Sequence, residues 1–126
     1  MQYKELTEKI IGSAYKVYNT LGYGFLESVY EKALLIELRK NGLKSENQKP
    51  IKVYYDGEIA GDFKADIIVE DLVIIELKSV RRIIKEFEVQ LVNYLTATEK
   101  PVGLLLNFGE KKVDIKRKVR TFEEQE

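Results

Sequence analysis

Asp66, Glu76 and Lys78 are the residues whose types and spacing point most directly to chemistry. Two carboxylates and an amine that share one patch of a buried strand pair must neutralise one another or hold a cation, because unpaired buried charge is costly. A hard divalent ion satisfies all of them: carboxylate oxygens, a strand carbonyl and waters suit Mg²⁺ or Mn²⁺. Such ions drive phosphodiester hydrolysis by activating water and neutralising developing charge. Other chemistries drop out, since the sequence contains neither Cys nor His. That removes disulfides, thiolate and imidazole metal sites, a cysteine nucleophile and the Ser-His-Asp arrangement. The bland alternative is an exposed ion pair, Glu76 with Lys78 or Lys64 with Asp66, worth little to stability. On spacing alone the pattern D-x9-E-x-K is loose and leaves both readings open.

A β-hairpin is what would bring these residues together. Residues 58–69 read as one strand, with Ile59, Phe63, Ala65, Ile67 and Val69 on one face and Asp62, Lys64, Asp66 and Ile68 on the other. The segment 72–79, LVIIELKS, begins apolar on both sides, as a central strand does, and then places Glu76 and Lys78 on one face. Pairing Ile67 with Ile75 and Val69 with Val73 stacks apolar side chains and sets Asp66 opposite Glu76.

Before this hairpin, Leu6, Ile10, Ala14, Val17 and Leu21 recur at helical spacing. Gly22 and Gly24 interrupt the pattern, and a second helix runs from about Leu26 to Leu38, stopped by Asn41-Gly42. Ile51, Val53 and Tyr55 then alternate in a strand that Pro50 would begin and Asp56-Gly57 would end. After the hairpin, Ile84, Phe87, Leu91 and Leu95 form the stripe of a third helix, ending near Thr98, with Gln90 and Tyr94 beside the stripe. The strands PVGLLLNF and one carrying Val113, Ile115 and Val119 follow. The order is ααβββαββ, and the class is α/β with a mixed central sheet flanked by helices.

At 126 residues, residues 1–126 are expected to form a single domain, with 44% apolar and 33% charged residues as in a globular protein. No apolar run approaches the roughly 20 residues of a membrane span, and Met1 to Lys9 is polar. The expectation is a cytoplasmic location with no membrane partner. The net charge is zero, yet between Lys111 and Arg120 six basic residues (Lys111, Lys112, Lys116, Arg117, Lys118 and Arg120) stand against Asp114 alone. That stretch reads either as a solvated strand face or as a phosphate-contacting stripe.

The hairpin acids with Glu76-Leu77-Lys78 resemble the site of the PD-(D/E)XK nuclease superfamily, and Gly24-Phe25-Leu26-Glu27-Ser28-Val29-Tyr30 resembles the signature of its small GxxExxY proteins. Gln90, Tyr94 and the ending Asn107-Phe108-Gly109 extend the likeness along nearly the whole chain. Ala65 departs from it, standing where the superfamily name has Pro, a position without chemical duty. The resemblance implies a nuclease in which Asp66, Glu76 and the Leu77 carbonyl hold the metal, Mg²⁺ or Mn²⁺, while Lys78 orients the attacking water or stabilises charge on phosphorus. It also implies a helical acid, Glu27, reaching the metal, and Gln90 and Tyr94 contacting substrate. Glu27 equally suits the first turn of a helix for its dipole alone, and Tyr30 either bonds Glu27 and meets substrate or packs in the core. Arg81 and Arg82, directly after the catalytic strand, are phosphate-binding candidates or a solvated loop. Nucleic acid, with DNA favoured, is the implied substrate, and a homodimer or accessory protein the further partner. The rival reading is a catalytically silent nucleic-acid-binding module that grips through residues 111–120; a protein-interacting scaffold ranks third.

Overall fold

A computed structural model describes residues 3–120. Its elements follow the order α1 (Lys4–Leu21), α2 (Glu27–Lys40), β1 (Ser45–Tyr55), β2 (Glu58–Val69), β3 (Val73–Lys78), α3 (Lys85–Thr98), β4 (Val102–Phe108) and β5 (Val113–Val119). The five strands form one sheet in sequence order, antiparallel except for the β3–β4 pair. That parallel pair is the one joined through a helix, α3, as a crossover requires. α1 and α2 cover one face of the sheet, where Ile10, Val17, Leu34 and Leu38 meet Ile67, Ile75, Leu104 and Leu106. On the other face α3 packs Leu91, Tyr94 and Leu95 against Ile68, Ile74 and Leu105. The result is a three-layer α/β architecture with the mixed sheet at its centre.

Local sequence explains the turns that set this geometry. α2 ends in a Schellman arrangement: Gly42, at φ 78°, donates to the Arg39 carbonyl and Leu43 to that of Leu38, with Leu38 and Leu43 both buried. Glu70 and Asp71, both left-handed, turn β2 into β3 and hold the register at Ile67–Ile75 and Val69–Val73, as the apolar pattern predicts. β3 and β4 are central and nearly all buried, which is why their sequences are runs of Val, Ile and Leu. No helix among the described residues is long and apolar enough to cross a membrane.

Three expectations are corrected. β1 starts at Ser45, not Pro50, and Pro50 pairs with Lys64 in mid-strand; β1 is an edge strand, where a missing N–H leaves no ladder bond unmade. The alternation in β2 does not persist: Phe63 and Ala65 pack on the α3 side, whereas Ile67 and Val69 face α1 and α2. The slip falls at Asp66, opposite Gln48, whose φ is 54°. Tyr94 belongs to the buried α3 stripe rather than lying beside it, because the β1–β2 arm folds over that side of the helix and Phe63 meets its ring.

The approach of α3 to the sheet depends on Gly103 in β4: a Cβ there would lie 2.8 Å from Leu91 Cδ1 and 2.9 Å from its Cγ. Gly103→Val should therefore destabilise the fold by roughly 1–3 kcal/mol through overpacking, and Leu91→Ala by roughly 2–5 kcal/mol through a cavity. The double variant should lose less than the sum of the two. Urea unfolding of the four proteins measures this coupling, and strict additivity would show that the two positions do not press on each other.

Candidate active site

The β2–β3 ladder runs only from Val69–Val73 to Ile67–Ile75. One residue further the strands exchange side chains for backbone: the Asp66 N–H donates to Glu76 Oε2 at 3.2 Å, and the Leu77 N–H donates to Asp66 Oδ2 at 2.7 Å. Two carboxylates thus act as acceptors for backbone amides in the seam. Past this point β2 continues with β1 alone, from Lys49–Ala65 to the tip pair Tyr55–Glu58, as a two-stranded arm. The expected juxtaposition of Asp66 and Glu76 is present, and it sits where the sheet divides.

The electrostatics of the pair follow from that position. Burial, reinforced by the neighbouring Asp66 charge, pushes the Glu76 carboxyl from its ordinary 4.5 up to about 8, against the opposing pull of the Asp66 N–H and of Lys78. Burial also raises the Asp66 carboxyl, opposed by the Leu77 N–H bond and helped by the charges of Glu31 and Glu27. Lys78 lies with its Nζ 4.4 Å above the Phe87 ring, a cation–π contact that holds the amine on the α3 side. Among the described residues neither Glu76–Lys78 nor Lys64–Asp66 forms an ion pair, so the bland alternative is not the arrangement adopted.

The other candidates separate by position. Glu27 is exposed in the first turn of α2, near enough to raise Asp66. One turn further along α2, Glu31 acts on both Asp66 and Glu76 and is held by Gln48, whose Nε2 donates to Oε1 at 2.9 Å and Oε2 at 3.1 Å. Sequence reasoning passed over Glu31; its signal was the spacing of four from Glu27, which puts both acids on one helix face. Gln90 donates to the Tyr94 hydroxyl, and the charges of Glu76 and Asp66 help burial to raise that hydroxyl, so Tyr94 borders the acids.

Tyr30 is a correction as a substrate contact. Its ring is fully buried and stacked on Phe108, with centroids 4.4 Å apart and planes within 6°, and its hydroxyl donates to the Gly22 carbonyl. It fixes the loop that delivers Glu27, where Gly24 stands at φ 112°. Ser79 Oγ ties the same loop to the end of β3 through the Phe25 carbonyl at 3.1 Å. Asn107, fully buried, clamps the other side of that strand end: its Oδ1 accepts from the Val80 N–H and its Nδ2 donates to the Val80 carbonyl, both at 2.9 Å. Arg81 and Arg82 are exposed, and Arg81 lines a polar cleft of about 410 Å³ of mixed charge, with Lys111 and Lys112 but also Glu110 and Asp114 from the β4–β5 turn and its edge. The basic stretch beyond them is not a continuous cationic face: Lys118 pairs with Glu88 at 2.7 Å, Lys112 approaches Asp114 at 3.5 Å, and Arg117 and Arg120 are half-buried.

Two facing carboxylates that repel each other in a half-buried seam make a donor set for a hard cation. No three acids stand close enough among the described residues to hold an ion by themselves. A cation here would therefore share Asp66 and Glu76 and complete its shell from oxygen donors that are not acidic side chains, including water. The Leu77 carbonyl is such a donor, because the N–H and C=O of one strand residue point to the same edge and the Leu77 N–H points at Asp66.

The raised Glu76 carboxyl makes stability depend on pH. Its folded value of about 8 exceeds its ordinary 4.5, so no penalty exists below about pH 4.5, where the group is protonated in both states, and the full penalty applies above about pH 8. Stability should fall across that window by a few kcal/mol, at up to about 1.4 kcal/mol for each step of one in pH. Glu76→Gln should flatten the profile and melt above wild type at pH 8. Millimolar Mg²⁺ or Mn²⁺ should raise the wild-type Tm at pH 8 and leave that of Glu76→Gln nearly unmoved. Thermal melts by circular dichroism decide it, and a wild-type Tm that climbs from pH 5 to 8 without metal would contradict this account.

Comparison with known proteins accords with this geometry. The structure of SSO0001 superimposes with a TM-score of 0.59 at 17% identity, covering 94% of this chain and 60% of that one. An alkaline exonuclease, LHK-Exo from Laribacter hongkongensis, gives 0.51 at 12% identity over 94% of this chain and 86% of its own. Its complex with dAMP gives 0.51 at 12% identity over 90% and 82%. At such identities the likeness is one of fold, and the chain spans less than two thirds of SSO0001. No curated protein matches the sequence. A family model described as the PD-(D/E)XK nuclease superfamily matches residues 4–118, and the chain belongs to that superfamily.

Proposed function

We propose that this protein is a metal-dependent nuclease that hydrolyses phosphodiester bonds, with Asp66 and Glu76 as the metal-holding acids and Lys78 beside them. The observation that carries this reading is the break in the β2–β3 ladder, where both carboxylates enter the seam between the strands and exchange bonds with the Asp66 and Leu77 amides. The two acids repel each other in this half-buried seam, a cost that a cation removes. A bound Mg²⁺ or Mn²⁺ supplies activation of water and neutralisation of charge on the phosphate.

The remaining work falls to side chains. Lys78, held over Phe87 and two residues beyond Glu76, orients the attacking water or stabilises the charge that develops on the phosphoryl oxygens. Glu31 and Glu27 supply further negative charge from α2, which favours the cation and raises its local concentration. Arg81 and Lys111 are the candidates for a phosphate flanking the scissile one, in a cleft that Glu110 and Asp114 also line. In the reaction a water oxygen bonds to phosphorus while one ester P–O bond breaks, and no covalent protein intermediate is required. DNA is the favoured substrate, on the strength of the exonuclease-like fold and that neighbour's complex with dAMP. The binding-module alternative loses support from the same structure, because Glu88 and Asp114 answer part of the 111–120 charge.

Labelled single-stranded DNA, duplex DNA and RNA incubated with Mg²⁺ or Mn²⁺ test the reading. Cleavage should require metal and fall by at least about 100-fold in Glu76→Ala and Lys78→Ala, the scale of losing a main electrostatic contributor. Glu31→Gln should lower activity less and raise the metal concentration needed for half-maximal rate. Binding of any substrate without cleavage under all conditions would favour the silent module instead.

A further inference from the structure

The β1–β2 arm and α3 enclose a groove of about 670 Å³ that the catalytic acids and Lys78 do not line. Tyr54, Phe63 and Tyr94 contribute aromatic rings to its walls. Phe63 is 42% and Tyr54 61% exposed, large values for rings in a protein with an ample core. Phe63 leans on Tyr94, with centroids 5.5 Å apart and planes at 43°. The polar groups lining the groove are mostly neutral, Gln90, Asn93 and Thr96 from α3. Lys52 is the cation among them, and it already faces Asp62 at 3.3 Å.

This lining is poorly suited to phosphates and well suited to flat uncharged rings, with amides and a hydroxyl within reach of their edges. The groove also lies beside the candidate active site, since Tyr94 lines it and packs in one cluster with Ala65, the residue before Asp66. We propose that the arm groove holds the unpaired bases of one nucleic-acid strand next to the scissile phosphate, with Phe63 and Tyr54 as stacking platforms. The substrate class is then a single strand or an unwound end. A duplex keeps its base faces stacked inside and presents phosphates, for which this groove offers one already paired lysine. The inference rests on the nuclease reading for its direction, because the groove matters to cleavage only if the acids cut.

The test is fluorescence anisotropy of a labelled 15-nucleotide oligodeoxythymidylate and of a 15-base-pair duplex, with Ca²⁺ in place of Mg²⁺ to hold back cleavage. Alanine substitution at a base-stacking ring removes about 1–3 kcal/mol per base, hence roughly a 5- to 150-fold loss of affinity. Phe63→Ala and Tyr54→Ala should weaken the single strand on that scale and leave duplex binding unmoved, and Phe63→Trp, which keeps a ring, should restore most of it. Wild-type affinity in Phe63→Ala, or an equal loss for the duplex, would overturn the proposal. So would sedimentation showing that wild type self-associates and the two alanine variants do not, since the groove would then be an interface between copies. The two readings fail separately when Mg²⁺ is added. If wild type binds the single strand through Phe63 but cuts nothing, the groove stands and the nuclease reading falls. If it cuts the strand while Phe63→Ala keeps its KM, the nuclease reading stands and the groove falls.

Discussion

Where β2 parts from β3, two acidic side chains accept hydrogen bonds from backbone amides, and much of the architecture around them depends on that arrangement. A strand pair ordinarily satisfies its own amides. Here the Asp66 and Leu77 N–H groups are satisfied by Glu76 and Asp66, so the seam stays hydrogen-bonded while the strands separate. The exchange holds each carboxylate in place through a backbone group rather than through a flexible partner. It also prevents β3 from continuing alongside β2, which frees the arm to lean over α3 and frees Lys78 to reach the Phe87 ring.

The supports around this seam share a logic: buried polar side chains fix irregular backbone at the ends of regular elements. Asn107 uses both its amide oxygen and nitrogen on Val80, so the strand end bearing Lys78 cannot drift without leaving two buried groups unsatisfied. Tyr30 and Ser79 hold the 22–26 loop from two sides, and Tyr18 reaches the Gly109 carbonyl at 2.6 Å, tying α1 to the turn beyond Asn107. None of these residues meets the acids directly, yet together they set where Glu27, Lys78 and Arg81 stand. Precision in a site comes from such neighbours as much as from the reacting groups.

Much of this was legible in the sequence where the period was unambiguous. The hairpin register could be read because Ile67, Val69, Val73 and Ile75 allow one apolar pairing and Glu70-Asp71 leave little room for another. The three helices had clear stripes, and the crossover followed from the position of α3. The first half of β1 was not legible: Ser45 to Pro50 is polar and carries no alternation, and it becomes a strand because the β2 edge is there to pair with. The flip at Asp66 was hidden because a period-2 reading assumes an unbroken ladder, and Gln48, the positive-φ residue opposite, carries no glycine signal. Tyr94 looked peripheral for a related reason, since its burial comes from an arm that the helix pattern cannot foresee. Glu31 had a local signal in its spacing from Glu27, but only the tertiary placement of Gln48 distinguishes it from any exposed helical acid.

Glu76 belongs to a strand, β3, that is otherwise largely aliphatic and buried because it is central in the sheet, as is β4. A carboxyl held near 8 keeps its proton in the folded state at neutral pH while the unfolded chain releases it, so it disfavours folding there, and the burial of Ile, Val and Leu on both faces of β3 and β4 works against that penalty. On the proposed metal-dependent reading, the proton and a cation compete for one seam. Below about pH 8 a cation must displace a proton from Glu76 to bind, so its apparent affinity weakens as the solution becomes more acidic, toward tenfold per pH unit. Any ion that binds the folded seam and not the unfolded chain stabilises the protein by the same linkage. The site is therefore a weak point of the bare fold and a strong point of the loaded one, and both follow from placing Glu76 beside Asp66 where the ladder ends.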